Sequence, residues 1–523
     1  MLREYRLTNF KAFGETVTIP IRPLTLIFGA NSSGKSSIFQ SLLMLKQTLE
    51  EAKNPNTALL PKGSLVDLET YRNFVHRHEI DRNFEFEVRF EVPLTYKTDK
   101  IQCPEASLGV GFFYSTANGC PDVSSGNLAA ISDTDEKQPI ASYTTSTEYD
   151  DVFGRRVVTI DTRPETDTGF GWEFWESWWS VLENCYTQKE LEALARLIYL
   201  NFSGERSGSF SDKLIMNMAR NVARESIDGF GREFDSGGDD FVDYMSYGGR
   251  KIELSRCQSF LPSDFSQIVP SDLARQPWQW TNLPVERILS RFRENLENLL
   301  YLGPLRSQPE RHCEFSGDTP DYVGQTGEYL PSLLFTRPEL LERMNSDLKR
   351  LGVKYQVKLD KLQYEDTSPS NVFSLRLVDK DGIDASLRDV GFGISQVLPI
   401  VVQSRLSEKK TLLIEQPEIH LHPAHQAELG DMFIRSAKER GNTLLLETHS
   451  ENLLLRIMRR MRETSTGKLP EGAIAVRSED VMVLFIESDG SQSIVREMPL
   501  DERGELVKAW PGGFFEEGLR EIL

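Results

Sequence analysis

Gly29-Ala30-Asn31-Ser32-Ser33-Gly34-Lys35-Ser36 matches the phosphate-binding pattern G-x-x-x-x-G-K-[ST] without a break. In such a turn, successive backbone N–H groups point at a chain of phosphates, and glycine lets the backbone come close. Lys35 is suited to the outer phosphates and the Ser36 hydroxyl to Mg²⁺. With Ser37, these residues form the candidate nucleotide cradle. The flanks agree. Residues 23–28 (PLTLIF) are a short apolar run that reads as a buried strand, and residues 36–49 carry apolar side chains at helical spacing. Strand, loop and helix follow in the required order, and the helix N-terminus adds its dipole to the anion site.

The chain has 523 residues, which allows two to four domains. No run of about 18 apolar residues predicts a membrane span, and MLREYRLTNF has no signal-peptide core. Cys103, Cys120, Cys185, Cys257 and Cys313 are scattered, with no C-x-x-C pair, so neither a disulfide framework nor a zinc knuckle is expected. The expected setting is reducing cytoplasm, with no membrane partner. A net charge of −19 argues against a broad basic surface for nucleic acid. The acid is uneven: residues 101–250 carry about −13 and residues 1–50 about +3.

Outward from the loop, residues 3–13 and 15–21 read as strands, and 84–93 (FEFEVRFEVP) alternates strictly, as a strand with one wet face does. Residues 101–285 differ in character and read as an inserted module. The segment holds Ser/Thr/Asp/Gly-rich stretches, a helical run at 188–200, and Trp172, Trp175, Trp178 and Trp179, which suit core packing better than a binding surface. Apolar periodicity returns at 286–301 (ERILSRFRENLENLLY), an amphipathic helix candidate. Strands are predicted at 371–378, 411–414 and 443–446, the last two separated by a helical stretch, as a parallel sheet requires. The expected organisation is a nucleotide-binding domain in two parts, 1–100 and 286–523, around an insert at 101–285.

Hydrolysis of a nucleotide also needs an acid for Mg²⁺ and a group to position water. Residues 411–417 (TLLIEQP) are an apolar strand ending in a carboxylate, the Walker B arrangement, which nominates Glu415. Residues 443–450 (TLLLETHS) end another strand, with His449 just past it, able to donate to a γ-phosphate or hold a water.

Together these segments resemble the ATP-binding-cassette-type ATPases of the RecF/SMC/OLD branch, rather than transporters or ring-forming motors. The matching segments are LTNFKAFGE, GANSSGKSS, YLGPLR at 301–306, DVGFGISQVLP at 389–399, LIEQPEIHLHP at 413–423 and LLETHS. They span about 1–95 and 290–460 and leave the insert uncovered. The resemblance implies an α/β P-loop NTPase fold of ABC-head type, with a mixed, largely parallel sheet, flanking helices and the inserted module. It also implies ATP and Mg²⁺ as cofactors. Ser36 and Glu415 would hold the metal, and Lys35, Glu415, Gln416 and His449 would form the catalytic set. Gly391, Phe392, Gly393, Ser395 and Gln396 would form a signature that caps ATP bound to a second copy in a homodimeric sandwich.

Two departures from the family pattern matter. The position after the Mg²⁺ acid often carries a carboxylate that serves as base, and here it is Gln416, an amide that orients water but cannot take its proton. Glu418 is a nearby substitute, and slow turnover is expected. The usual signature serine position falls on Gly391, with Ser395 as its replacement or backbone N–H groups serving in its place. His420, His422 and His425 invite a metal reading, yet their HLHP run matches the family's ordinary segment after Walker B. The functional expectation is an ATP-hydrolysing dimeric switch tied to nucleic-acid sensing or processing, resembling ATPase subunits of antiphage systems such as Septu that work with a separate nuclease effector. A non-hydrolysing scaffold that recruits a protein partner and a RecF-like repair ATPase are the alternatives. About seventy residues follow His449, without a clustered D-x-D, so no nuclease activity of its own is expected.

Overall fold

The computed structural model describes residues 1–54, 57–92, 105–116, 119–131, 137–150, 155–161, 252–254, 257–258, 261–262, 282–363, 369–389, 392–513 and 515. The four tryptophans at 172–179 and the helical run at 188–200 lie outside the described residues. The chain forms two compact units, one of Met1–Gln47, Pro61–Phe84 and Glu294–Leu523, the other of Thr48–Leu60 and Glu85–Arg293.

The strands, in chain order, are β1 Leu2–Thr8, β2 Val17–Pro20, β3 Leu24–Gly29, β4 Phe84–Glu91, β5 Glu105–Ser115, β6 Cys120–Ile131, β7 Lys137–Asp150, β8 Arg155–Asp161, β9 Ile252–Leu254, β10 Cys257–Gln258, β11 Leu261–Pro262, β12 Leu299–Leu302, β13 Cys313–Glu314, β14 Gln356–Gln363, β15 Pro369–Val378, β16 Asp384–Ser386, β17 Thr411–Glu415, β18 Thr443–Glu447, β19 Val481–Ser488 and β20 Ser493–Glu497. The helices that matter below are α1 Lys35–Glu51, α2 Asn282–Glu297, α3 Pro338–Arg350, α4 Phe392–Leu406, α5 Pro423–Arg440 and α6 Glu451–Ser465.

The first unit is built on a six-stranded sheet in the order β12-β17-β18-β3-β19-β20. The first five strands are parallel and β20 closes the edge antiparallel. β3, β17 and β18 are buried along their whole length. A parallel sheet covered on both faces has this pattern, which is why LTLIF, TLLI and TLLL read as continuous apolar runs rather than alternations. The core at this sheet gathers Leu26, Phe28, Ile414, Leu446, Val483 and the apolar sides of α4, α5 and α6. A smaller antiparallel sheet, β13-β15-β14 with β16 on β15, adjoins the same core. In the second unit, strands β4 to β9 form one sheet in chain order, antiparallel from β5 onward.

One sequence expectation is corrected. The predicted helix at 286–301 ends at Glu297, and Leu299–Leu302 is a strand whose residues pair in parallel with 411–414. The apolar residues of β12 continue the helical phase by coincidence. Its partner lies more than a hundred residues downstream, where a local pattern does not reach.

Candidate nucleotide site

The phosphate loop leaves β3 at Gly29 and enters α1 at Lys35. Its shape needs glycine at both ends. At Gly29 (φ 148°) a Cβ would lie 2.3 Å from the Ile486 carbonyl oxygen of β19, and at Gly34 (φ 98°) it would press Ala12 Cβ at 3.0 Å. Between them Ser32 adopts φ 63°, a left-handed turn that costs a non-glycine residue about 1 kcal/mol. Asn31 and Ser32 are exposed. Ser33 is buried, and its hydroxyl has no protein partner. Lys35 is buried as well, and its ammonium donates to the carbonyls of Gly29 (3.0 Å) and Ala30 (2.9 Å). Burial lowers its pKa against the opposing pull of Glu447, Glu415 and Glu418.

Those three carboxylates face the loop from the neighbouring strands. Glu415 ends β17 and Glu447 ends β18, and the two stand in register. The parallel pairing brings β18 between β17 and β3, so the acids line the same sheet edge as the loop. Ser36 Oγ donates to Glu447 Oε2 at 2.8 Å, and Lys35 Nζ lies 3.8 Å from Glu447 Oε1. Burial first, and the Glu415 charge second, push the Glu447 carboxyl up to about 7. Glu415 is also raised by burial, partly relieved by the hydrogen bond from Tyr301.

Three groups set the shape of the loop after β17. Tyr301 Oη donates to Glu415 Oε1 at 2.8 Å. Arg306, buried, donates to the backbone carbonyls of Glu415 (2.8 Å) and Gln416 (3.4 Å). Gln416 N–H donates to the Glu447 carbonyl at 2.7 Å, and its backbone turns left-handed at φ 43°. Glu418 does not face solvent as a free base. It accepts from Thr448 Oγ1 (2.8 Å) and from the His449 amide (2.7 Å), tying this loop to the end of β18. His449 is half-buried, and burial followed by the Lys35 charge lowers its pKa, so the ring is neutral at physiological pH.

Of the signature residues, Gly391 lies outside the described residues. Phe392 opens α4. Gly393 passes so close to the loop after β17 that a Cβ would meet the His420 carbonyl at 2.3 Å. Ser395 and Gln396 are turned into their own protomer, only 6% and 2% exposed. The Gln396 amide exchanges hydrogen bonds with the backbone of Arg306 (3.3 and 3.4 Å). Gln396 therefore braces the site from within, and the burial of both side chains narrows the surface expected to meet a second copy. The three histidines have separate tasks. His422 caps α5 by accepting from Ala424 N at 3.2 Å, His425 Nδ1 bonds the Leu351 carbonyl at 2.6 Å, and His420 is exposed in a left-handed turn. Among the described residues, no group of three or more His, Cys, Asp or Glu gathers as a metal centre.

The set fits a nucleoside triphosphate with a divalent cation. A glycine-shaped cradle, an orphaned buried hydroxyl on Ser33, a lysine and a hydroxyl–carboxylate cluster of hard oxygens stand at one sheet edge. Glu447, Tyr301 and Arg306 take part in the site although the motif reading did not nominate them. For Glu447 the signal was available, since TLLLE ends an apolar strand in a carboxylate just as TLLIE does.

Among known families, the AAA ATPase domain matches residues 1–156 and 322–454, more than half of the chain. A family described as a protein of unknown function (DUF3696) matches residues 476–523. No curated protein matches the chain. Solved structures similar to it include an SMC head bound to the C-winged helix domain of ScpA, at 10% identity over 95% of this chain and 98% of that one, with a TM-score of 0.36. Another is an Smc head domain with an extended coiled coil bound to the C-terminal domain of ScpA, derived from Pyrococcus furiosus, at 11% identity over 100% and 98%, with a TM-score of 0.36. The SMC head domain from Thermotoga maritima is similar at 9% identity over 96% and 99%, with a TM-score of 0.33. The architecture is a P-loop ATPase fold of mixed α/β type, with parallel and antiparallel sheets. With its phosphate loop and strand-end acids on one sheet edge, the chain belongs to the AAA ATPase domain family.

Proposed function

We propose that the protein binds ATP with Mg²⁺ and hydrolyses it slowly, as a switch whose nucleotide state governs association with a second copy of itself. One observation carries the reading: Lys35 and Ser36 at the start of α1 meet Glu415 and Glu447 at the ends of β17 and β18, with Lys35 and Ser36 both next to Glu447. When bound, Mg²⁺ would neutralise charge developing on the transferred phosphoryl group. The protein's own part is positioning. The loop amides and Lys35 hold the phosphates, Ser36 and Glu415 hold the cation, and the Gln416 amide and neutral His449 ring orient water.

Slow turnover follows from Gln416. A carboxamide can align a water but takes no proton from it, and Glu418 is occupied by Thr448 and the His449 amide. The same observation favours a second reading, an ATP-gated scaffold that does not hydrolyse. Phosphate release from purified protein with MgATP, beside Lys35→Ala, separates the two. We expect turnover above the Lys35→Ala control together with loss of nucleotide binding in that variant. Turnover equal to the control leaves the scaffold, and unchanged nucleotide binding in Lys35→Ala sinks both readings.

The dimer is proposed from the family resemblance and from the half-buried Gly393–Ile394 stretch at the start of α4. Molar mass in solution with and without a non-hydrolysable ATP analogue tests it. Coupling to nucleic acid and to a separate effector, as in antiphage defence, rests on the resemblance alone. DNA- or RNA-stimulated turnover and salt-dependent binding are its tests.

A further inference from the structure

Glu447 lies outside both the phosphate loop and the Walker B strand, yet its carboxylate stands between them. It is 4% exposed and Glu415 is 6% exposed, at the ends of adjacent parallel strands. Such strands run about 4.8 Å apart. Lys35 is a cation beside this pair, 3.8 Å from Glu447, and its ammonium is already donating to two loop carbonyls. The Arg306 guanidinium donates to the backbone carbonyls of Glu415 and Gln416. Two carboxylates buried side by side on adjacent strand ends are costly to keep charged unless cations stand with them. The Ser36 hydroxyl, hydrogen-bonded to Glu447 at 2.8 Å, meets this pair at the strand end where Glu415 stands in register with Glu447. Hard oxygens from a hydroxyl and two carboxylates, completed by phosphate oxygens, suit Mg²⁺.

We propose that Glu447 is a second cation-holding carboxylate of this site, so that the divalent ion accompanying the nucleotide is held by Glu415, Glu447 and Ser36 together. The inference rests on the nucleotide reading given above. It differs from a packing role, because a glutamine at 447 still accepts the Ser36 hydrogen bond while removing the charge.

The test measures affinity for a fluorescent ATP analogue with Mg²⁺ and with EDTA, in the full-length wild type, Glu447→Gln, Glu447→Asp and Lys35→Ala. Mn²⁺ electron paramagnetic resonance of the nucleotide complex is the second readout. Glu447→Gln should bind in EDTA at least as tightly as wild type, since a negative charge beside the phosphates is gone. Its gain in affinity on adding Mg²⁺ should shrink by about tenfold or more, and its Mn²⁺ spectrum should change. Glu447→Asp, which keeps the charge on a shorter arm, should recover part of the gain and carries the test if Glu447→Gln does not fold. A Mg²⁺ gain equal to wild type in these variants, or equal losses with and without Mg²⁺, overturns the proposal and leaves the nucleotide reading standing. Undiminished binding in Lys35→Ala overturns the nucleotide reading itself, and this proposal with it.

Discussion

At Gln416 a left-handed φ, a hydrogen bond from its N–H to the Glu447 carbonyl and one from the Arg306 guanidinium to its own carbonyl fix the backbone directly after Glu415. Restoring a carboxylate there adds a group able to accept the proton of an attacking water. Gln416→Glu is expected to raise phosphate release by about tenfold or more, within the range general bases contribute, with nucleotide affinity little changed. Unchanged or lower turnover would show that positioning already limits the reaction. The identities at this scale were legible in part. The phosphate loop and Glu415 announce themselves by pattern, since their spacing is set by local backbone geometry. Tyr301 and Arg306 act on Glu415 and Gln416 from more than a hundred residues away, so spacing carries no trace of their partners. Position alone offers Glu418 as a substitute base, and the fold engages its carboxylate with Thr448 and the His449 amide.

At the scale of elements, α5 and α6 pack side by side through a charged seam. Asp431 accepts from Arg456 (2.7 Å) and twice from Arg460 (2.6 and 2.7 Å), while Glu428 engages Arg456 and Glu463 engages Arg460. Burial opposes ionisation of Asp431, but the two arginines outweigh it and hold its pKa below the ordinary carboxylate value. A depressed folded-state pKa means stability that is present above the unfolded value, about 3.9, and lost as pH falls through the folded one. Asp431→Asn should therefore cost about 2 kcal/mol at pH 7, the scale of breaking a partly buried charged network. The deficit should shrink as wild type and variant are both melted at progressively lower pH below 4. A deficit that does not change with pH would assign the loss to packing. The strand–helix–strand order through β17, α5 and β18 was readable from apolar runs and helical spacing. The end of α2 was not, because a strand recruited by a distant partner looks locally like one more helical turn.

At the scale of the molecule, the loop-bearing strand β3 is flanked by β18 on one side and β19 on the other. β19 belongs to the segment 476–523 matched by the family of unknown function. Beyond it, Trp510 packs edge-on against Phe28 (5.4 Å between ring centres) and Phe485 (5.8 Å). The C-terminal segment is thus a structural part of the nucleotide-binding unit. Deleting 476–523 strips one full edge from β3 and uncovers Phe28, so the truncated chain should lose cooperative melting and nucleotide binding together. A truncated chain that still melts cooperatively and binds nucleotide would refute this. The sequence by itself determined the phosphate loop, the parallel strands around it and the carboxylate that ends β17, because each follows from short-range spacing and from the apolar runs that a twice-covered sheet demands. Only the tertiary structure decided that β18 lies between β17 and β3. That order brings Glu447 beside Ser36 and Lys35. Strand order is set by packing among segments hundreds of residues apart, and no local pattern encodes which strand ends will share an edge.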